Sequence, residues 1–298
     1  MRKYIKEHKF NLIMIIFLLI GIAIVAYPTV SDYWNSKVQS KAISDYEKKV
    51  HEAGAELQKY KVEAQIYNQA LYNQQKFGSS IGDNVKKYED ILDITENGVM
   101  GYIEIPIIDV QLPIYHGTDD SVLQVAIGHD SDSSLPVGGK NTHAVLLGHR
   151  GLPSARLFND IDQLVRGDYF EIHVLDEVLT YEVYNIEIVL PQELSKLRIV
   201  DGEDIVTLVT CTPYGVNTHR LLVYGKRIDN KGGKTLVFAE ARKTNPTYVA
   251  IAMGVVLWIM IMSLILYWSN KTLHRTISRK ESIRRRKILE DYKKRKGG

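Results

Sequence analysis

Cysteine is almost absent. The 298 residues hold one, Cys211, so no intramolecular disulfide can brace the fold. That thiol is a buried spectator, an intermolecular linker or a reactive group. Proline is missing between Pro28 and Pro106, which excludes from that stretch any motif that requires one. Charge is missing from two runs. FNLIMIIFLLIGIAIVAY, residues 10–27, has no charge and one amide; YVAIAMGVVLWIMIMSLILYW, residues 248–268, has no charge at all. Neither shows the polar stripe of a buried soluble helix. About 20 apolar residues cross a hydrocarbon core of roughly 30 Å, so both runs are expected to be transmembrane helices.

The charges that are present sit where they orient these runs. Arg2, Lys3, Lys6 and Lys9 precede the first; Arg275, Arg279, Lys280, Arg284, Arg285, Arg286, Lys287 and KKRK follow the second. Basic flanks stay cytoplasmic. The expectation is a cytoplasmic N-terminus (1–9), a span (10–27), an exported middle, a second span (248–268) and a basic cytoplasmic tail (269–298). The first run is read as an uncleaved anchor. A cleaved signal peptide is the alternative, with VAYP as its candidate site. The tail supplies most of the excess behind the net charge of +3. It reads as a topology signal attracted to anionic lipid, which makes the bilayer a partner. No basic, aromatic-interleaved surface exists elsewhere, which argues against nucleic acid.

The exported part opens on a helical region, 28–97. Ala42, Tyr46, Val50, Ala53, Leu57, Tyr60, Ala64, Tyr67 and Leu71 recur at spacings of three and four, predicting one long helix over 38–77 with an apolar stripe that packs on the following domain. GSSIGDN breaks it, and VKKYEDIL reads as a short second helix. From Gly98 the texture alternates and is rich in Ile and Val. GYIEIPIIDVQLPIY predicts two strands around a turn; THAVLLGH, DYFEIHVL, LTYEVYNIEIVL, DIVTLVTC and RLLVYGKRI predict further strands. GLPSARLFNDIDQL reads as a short helix. The fold class expected is all-β with short helices, a closed or partly closed β-barrel over 98–230, joined by a linker (231–247) to the second span.

Alternation in DIVTLVTC places Ile205, Thr207, Val209 and Cys211 on one face, with Cys211 at the strand end. The chain returns as HRLLVYGKR, so Arg220 starts the neighbouring strand if the two pair. A neighbouring cation lowers a thiol's pKa from about 8.5. A guanidinium also offers fixed donors to a developing oxyanion. A nucleophilic thiol needs an acid for its leaving group, and histidine is the usual agent. Of nine histidines, His8 and His274 flank the spans, His51 lies on the long helix and His173 is inside a strand. His116, His129, His143, His149 and His219 remain. His149 ends a strand beside a loop, as Cys211 does. His143 lies roughly 20 Å back along that strand, so the two cannot serve one site.

TLVTC followed by Arg220, GHRGLPSARLF upstream, and the runs GYIEIPIIDVQLPIYHGT, SLPVGGKNTHAVLLGHRGLPSARLF and TLVTCTPYGVNTHRLLVYGKR resemble the sortase family over about residues 98 to 228. The TCTPYGVNTHRLLV run and the two anchors resemble its class C, the pilin-polymerising sortases of Gram-positive bacteria. The resemblance implies a sortase-type barrel with Cys211 as nucleophile, His149 as general acid and base, and Arg220 positioning substrate and steadying the oxyanion. It implies cleavage of an LPxTG-like sorting signal between Thr and Gly, a thioacyl enzyme, and attack by a pilin lysine to give an isopeptide bond, with no metal or cofactor. A sortase anchoring surface proteins to cell-wall precursor, or acting mainly as a hydrolase, shares those catalytic residues. A non-catalytic membrane scaffold using the long amphipathic helix is the alternative outside enzymes. Class C members usually carry a lid with an Asp-Pro-aromatic motif over the cysteine. The absence of proline from 29 to 105 removes that motif here. Tyr72 or Phe77 is left as the aromatic that could cover the site, against packing or solvent exposure.

Overall fold

The computed structural model describes residues 9–82, 85–229 and 246–296. Residues 1–8 of the expected cytoplasmic N-terminus, and all but the last two residues of the expected linker 231–247, lie outside the described residues. The chain forms two units, one spanning 28–243 and one combining 1–27 with 244–298.

In the larger unit, the helical region reads out its apolar stripe. Helix α1 (Lys9–Ala53) buries Ile43, Tyr46 and Val50, and α2 (Leu57–Phe77) buries Leu57, Ala64, Tyr67 and Leu71. The stripe packs against the barrel as one core cluster. The expected single helix over 38–77 is in fact two. A 3-10 turn at Gly54–Glu56 separates them, and Gly54 has φ +49°, a conformation that interrupts the helical path. Helix α2 stops at Gly78, whose left-handed backbone lets its N–H close on the Gln74 carbonyl. VKKYEDIL forms only a 3-10 turn, Tyr88–Asp90, because its extended flanks are drawn onto the barrel through Val85, Tyr88 and Ile91.

Eight strands close a barrel: β1 (Val99–Ile105), β2 (Val110–His116), β3 (Ile127–His129), β4 (Thr142–Leu147), β5 (Tyr169–Val174), β6 (Glu177–Val189), β7 (Asp204–Thr212) and β8 (His219–Arg227). The order around the ring is β1-β2-β3-β4-β7-β8-β6-β5, with β5 returning to β1. Most pairs are antiparallel; β2 with β3 and β4 with β7 are parallel. Helix α3 (Asp120–Leu123) and the three-residue β3 carry no period long enough to read in sequence. Alternation sorts the strands into two apolar sets. Leu146, Val206, Leu208, Leu221 and Val223 belong to the main core. Val145, Val209 and Leu222, of opposite parity, form a second small cluster outside the barrel wall with Leu147, Val189, Leu197 and Tyr224.

GLPSARLFNDIDQL is a loop with one 3-10 turn, Ile161–Gln163, rather than a helix. Leu157 adopts φ +36°, and Phe158 is buried with its N–H on the His149 carbonyl at 3.2 Å, so the apolar residues serve inward packing and not a helical face.

The second unit contains the start of α1 and helix α4 (Pro246–Lys296). Among the described residues, α1 has the length and composition to cross a membrane, with a most apolar window of mean hydropathy 2.6. Ile13, Ile16, Phe17, Leu19 and Ile24 are exposed there. Gly254–Ile265 in α4 is a shorter apolar stretch.

Candidate active site

The parallel pairing of β4 with β7 sets the site. Leu147 lies opposite Val209, the Gly148 N–H donates to the Val209 carbonyl at 3.0 Å, and the buried Thr210 hydroxyl donates to the Gly148 carbonyl at 2.7 Å. His149 follows two residues after Leu147, just past the end of β4. Gly148 must be glycine: a Cβ would stand 2.5 Å from the Phe158 ring and 2.7 Å from Ile127. On the other side of β7, Cys211 is the direct partner of Arg220 on β8. Directly paired Cα atoms in such a ladder lie about 4.5–5.5 Å apart with side chains on one face.

Cys211 on β7 pairs with Arg220 on β8, and His149 lies two residues past the end of β4, the strand on the other side of β7. All three residues are half-buried. Two residues before Cys211 and His149 stand Val209 and Leu147, and two after Arg220 stands Leu222; all three belong to the small outer cluster. Cys211 and Arg220 therefore share the outer face of the barrel, just beyond an apolar floor. Arg220 Nη1 donates to the carbonyls of Asn217 (3.3 Å) and His219 (3.1 Å). Those bonds tie the guanidinium to the β7–β8 loop and leave Nε and Nη2 as donors for a bound oxygen.

Three of the other candidate histidines are held by buried or backbone partners. His143 is buried, its Nδ1 paired with the Arg198 carbonyl and its Nε2 with the Thr207 hydroxyl. The His116 ring nitrogens face the carbonyls of Gly98 and Ile91. His129 is fully buried between the Tyr88 hydroxyl and the Ser134 carbonyl, and burial pulls its pKa down to about 4. His219 contacts the Thr218 hydroxyl at the start of β8. Of the five candidates, His149 follows the end of β4, the neighbour of β7, and His219 pairs with Thr212, the residue after Cys211.

Tyr72 and Phe77 are not brought there. The Tyr72 hydroxyl donates to Asp201 Oδ1 at 3.0 Å, and the Lys76 ammonium, also bonded to Asp201, lies 5.1 Å from the Tyr72 ring centre and 5.8 Å from that of Phe77. Asp201 precedes β7, and from Asp204 to Cys211 that strand rises roughly 23 Å. Of the two readings for these aromatics, cover over the thiol or packing and solvent exposure, the contacts here accord with the second: a local Lys76–Asp201 ion pair keeps Tyr72 at Asp201, and Phe77 is exposed.

Two residues without a sequence signal join the site's periphery. On α1, Asp32 Oδ1 accepts the Arg156 N–H at 2.9 Å and Asn35 Nδ2 donates to the Ser154 carbonyl at 2.7 Å. Both bonds fix the loop that follows His149. Within that loop the Gly151 N–H donates to Asn159 Oδ1 at 2.6 Å, and Arg150 pairs with Asp162 while its guanidinium lies 5.7 Å from the Tyr214 ring centre.

Residues 103–228 match the sortase domain family. The chain is 46% identical to sortase C1 from Streptococcus agalactiae, covering 64% of this chain and 99% of that one with a TM-score of 0.58. The chain belongs to the sortase family. A sortase C from Clostridium perfringens, solved with the C-terminal cell wall sorting motif, is similar at 44% identity over 64% of this chain and all of that one, with a TM-score of 0.57. Sortase D of Bacillus subtilis is 33% identical over 131 residues, which are 43% of this chain and 63% of that relative's length. Sortases are cysteine transpeptidases, and these class C structures share the barrel described above.

Proposed function

We propose that this sortase is a membrane-anchored transpeptidase that joins pilin subunits, using Cys211 as nucleophile. The observation that carries the reading is the direct pairing of the chain's one thiol-bearing residue, Cys211, with Arg220, and what supports His149 as third member is its place just after β4, the strand beside β7. Cys211 Sγ adds to the threonine carbonyl of an LPxTG-like signal, and Arg220 donates to the oxyanion that forms. His149, as imidazolium, protonates the leaving glycine amine, and the Thr–Gly bond breaks to a thioester. A lysine amine of the next subunit attacks that thioester, His149 takes the amine proton, and an isopeptide bond forms as the thiol is released. One acyl bond is exchanged for another through a thioester, so no nucleotide is consumed. The likeness to class C structures, one of them solved with a sorting motif, favours a pilin lysine as acceptor.

Anchoring follows from the two apolar runs, 10–27 and 248–268, with basic flanks keeping both termini cytoplasmic and the barrel outside. The test is incubation of the full chain in detergent with candidate pilins bearing LPxTG-like signals, with products read by mass spectrometry. Subunits linked from the signal threonine to a lysine support the proposal. Transfer only to cell-wall precursor amines, or release only by water, overturns the pilin assignment and points to wall anchoring or hydrolysis.

A further inference from the structure

The barrel closes where β5 pairs with β1, and that seam carries an uncompensated group of donors. Glu104 and Glu171 are direct cross-strand partners, as are Tyr102 and His173. Like charges facing each other in an antiparallel pair destabilise it. Among the described residues no lysine or arginine forms an ion pair with either glutamate. His173 Nε2 points between them, 3.5 Å from Glu104 Oε2 and 3.7 Å from Glu171 Oε2. That nitrogen is buried and has no hydrogen-bond partner.

These separations are too long for hydrogen bonds, which span about 2.7–3.2 Å. They suit something else. Two ligands each ~2.05 Å from a tetrahedral ion lie roughly 3.4 Å apart. All three donor atoms fall within 4.8 Å of one another. The ring is also oriented from behind: it stacks on Tyr102 with centres 4.3 Å apart and planes 8° apart, and the Tyr102 hydroxyl donates to Glu47 on α1 at 2.8 Å.

We propose that Glu104, Glu171 and His173 form a binding site for a divalent cation of the zinc type, clamping the β1–β5 seam. A ligand set of one imidazole and two carboxylates suits an ion of borderline softness, with a fourth position left for water. The ion cancels the facing charges and ties together the two strands that complete the ring. The site lies several strands around the barrel from β7, so its role is structural and separate from the thiol chemistry.

The test uses the tag-free full chain in detergent, with Cys211→Ala as background so that the thiol cannot take up metal. Zn2+ is titrated by calorimetry, and thermal unfolding is followed with and without it. One Zn2+ per chain is expected, with a raised Tm. Both Glu104→Gln and His173→Gln should weaken binding by roughly tenfold or more. Glu104→Gln also removes the facing charge, so its metal-free Tm should equal or exceed the parent's while the Zn2+-dependent gain is lost. Absence of stoichiometric binding to the parent, or equal binding in both variants, overturns the proposal.

Discussion

Cys211 and Arg220 are direct cross-strand partners in the β7–β8 hairpin. The pairing sets Arg220 beside Cys211 in register without any long-range loop, since the connection between the two strands is only residues 213–218. Arg220→Lys should therefore lower kcat on the order of 10²–10³-fold while leaving the fold intact. A point charge cannot reproduce the donor fork, and a lost oxyanion donor costs about that much. Steady-state transfer of a sorting-signal peptide measures it; full turnover by the lysine variant would remove the bidentate role.

Cys211→Ala should abolish thioacyl formation. The thiol is half-buried at a strand end, so truncation costs little packing, about 1 kcal/mol or less by the scale of core truncations. Intact mass after peptide incubation should lack the acyl adduct, while thermal unfolding stays near that of the parent.

No aromatic of α2 shields the thiol, because Tyr72 is held at Asp201. Iodoacetamide should label Cys211 in the folded chain without a slow opening phase. Tyr72→Ala and Phe77→Ala should leave that rate unchanged; acceleration by either would restore a covering role.

Gly148→Ala forces a methyl into the Phe158 ring and Ile127. Overpacking of this kind costs roughly 1–3 kcal/mol. Because the next residue is His149, the variant should lose turnover beyond what its altered Tm explains, a comparison made at a temperature where both proteins are folded.

Asp32 and Asn35 hold the loop after His149 from α1. Replacing both with alanine should cost about 2 kcal/mol locally, at about 1 kcal/mol per hydrogen bond. Hydrogen exchange at Ser154–Arg156 should quicken, and kcat should fall more than KM rises, while exchange in β5 and β6 is unmoved.

Much of this was legible because it is local. Strand alternation has a period of two, so β1, β2 and β4–β8 were expected from residues that touch their own neighbours. Parity alone put Cys211 on a face with Val209. Short irregular pieces were not legible. GLPSARLFNDIDQL has helical composition, yet Leu157 bends it so that Phe158 can fill the space beside Gly148. The long stripe over 38–77 was read as one helix because packing periodicity survives the turn at Gly54.

By itself the sequence determined the apolar runs, the single thiol, the strand-rich barrel and the absence of a proline-bearing lid motif. These depend on composition and on short-range period. Only the tertiary structure decided that Cys211 and Arg220 are cross-strand partners, that Tyr72 is held at Asp201, and that Glu104, Glu171 and His173 converge at the closing seam. Each of those depends on the register of one element against another, such as β1 against β5, and register is fixed by the packing of whole faces rather than by neighbouring residues.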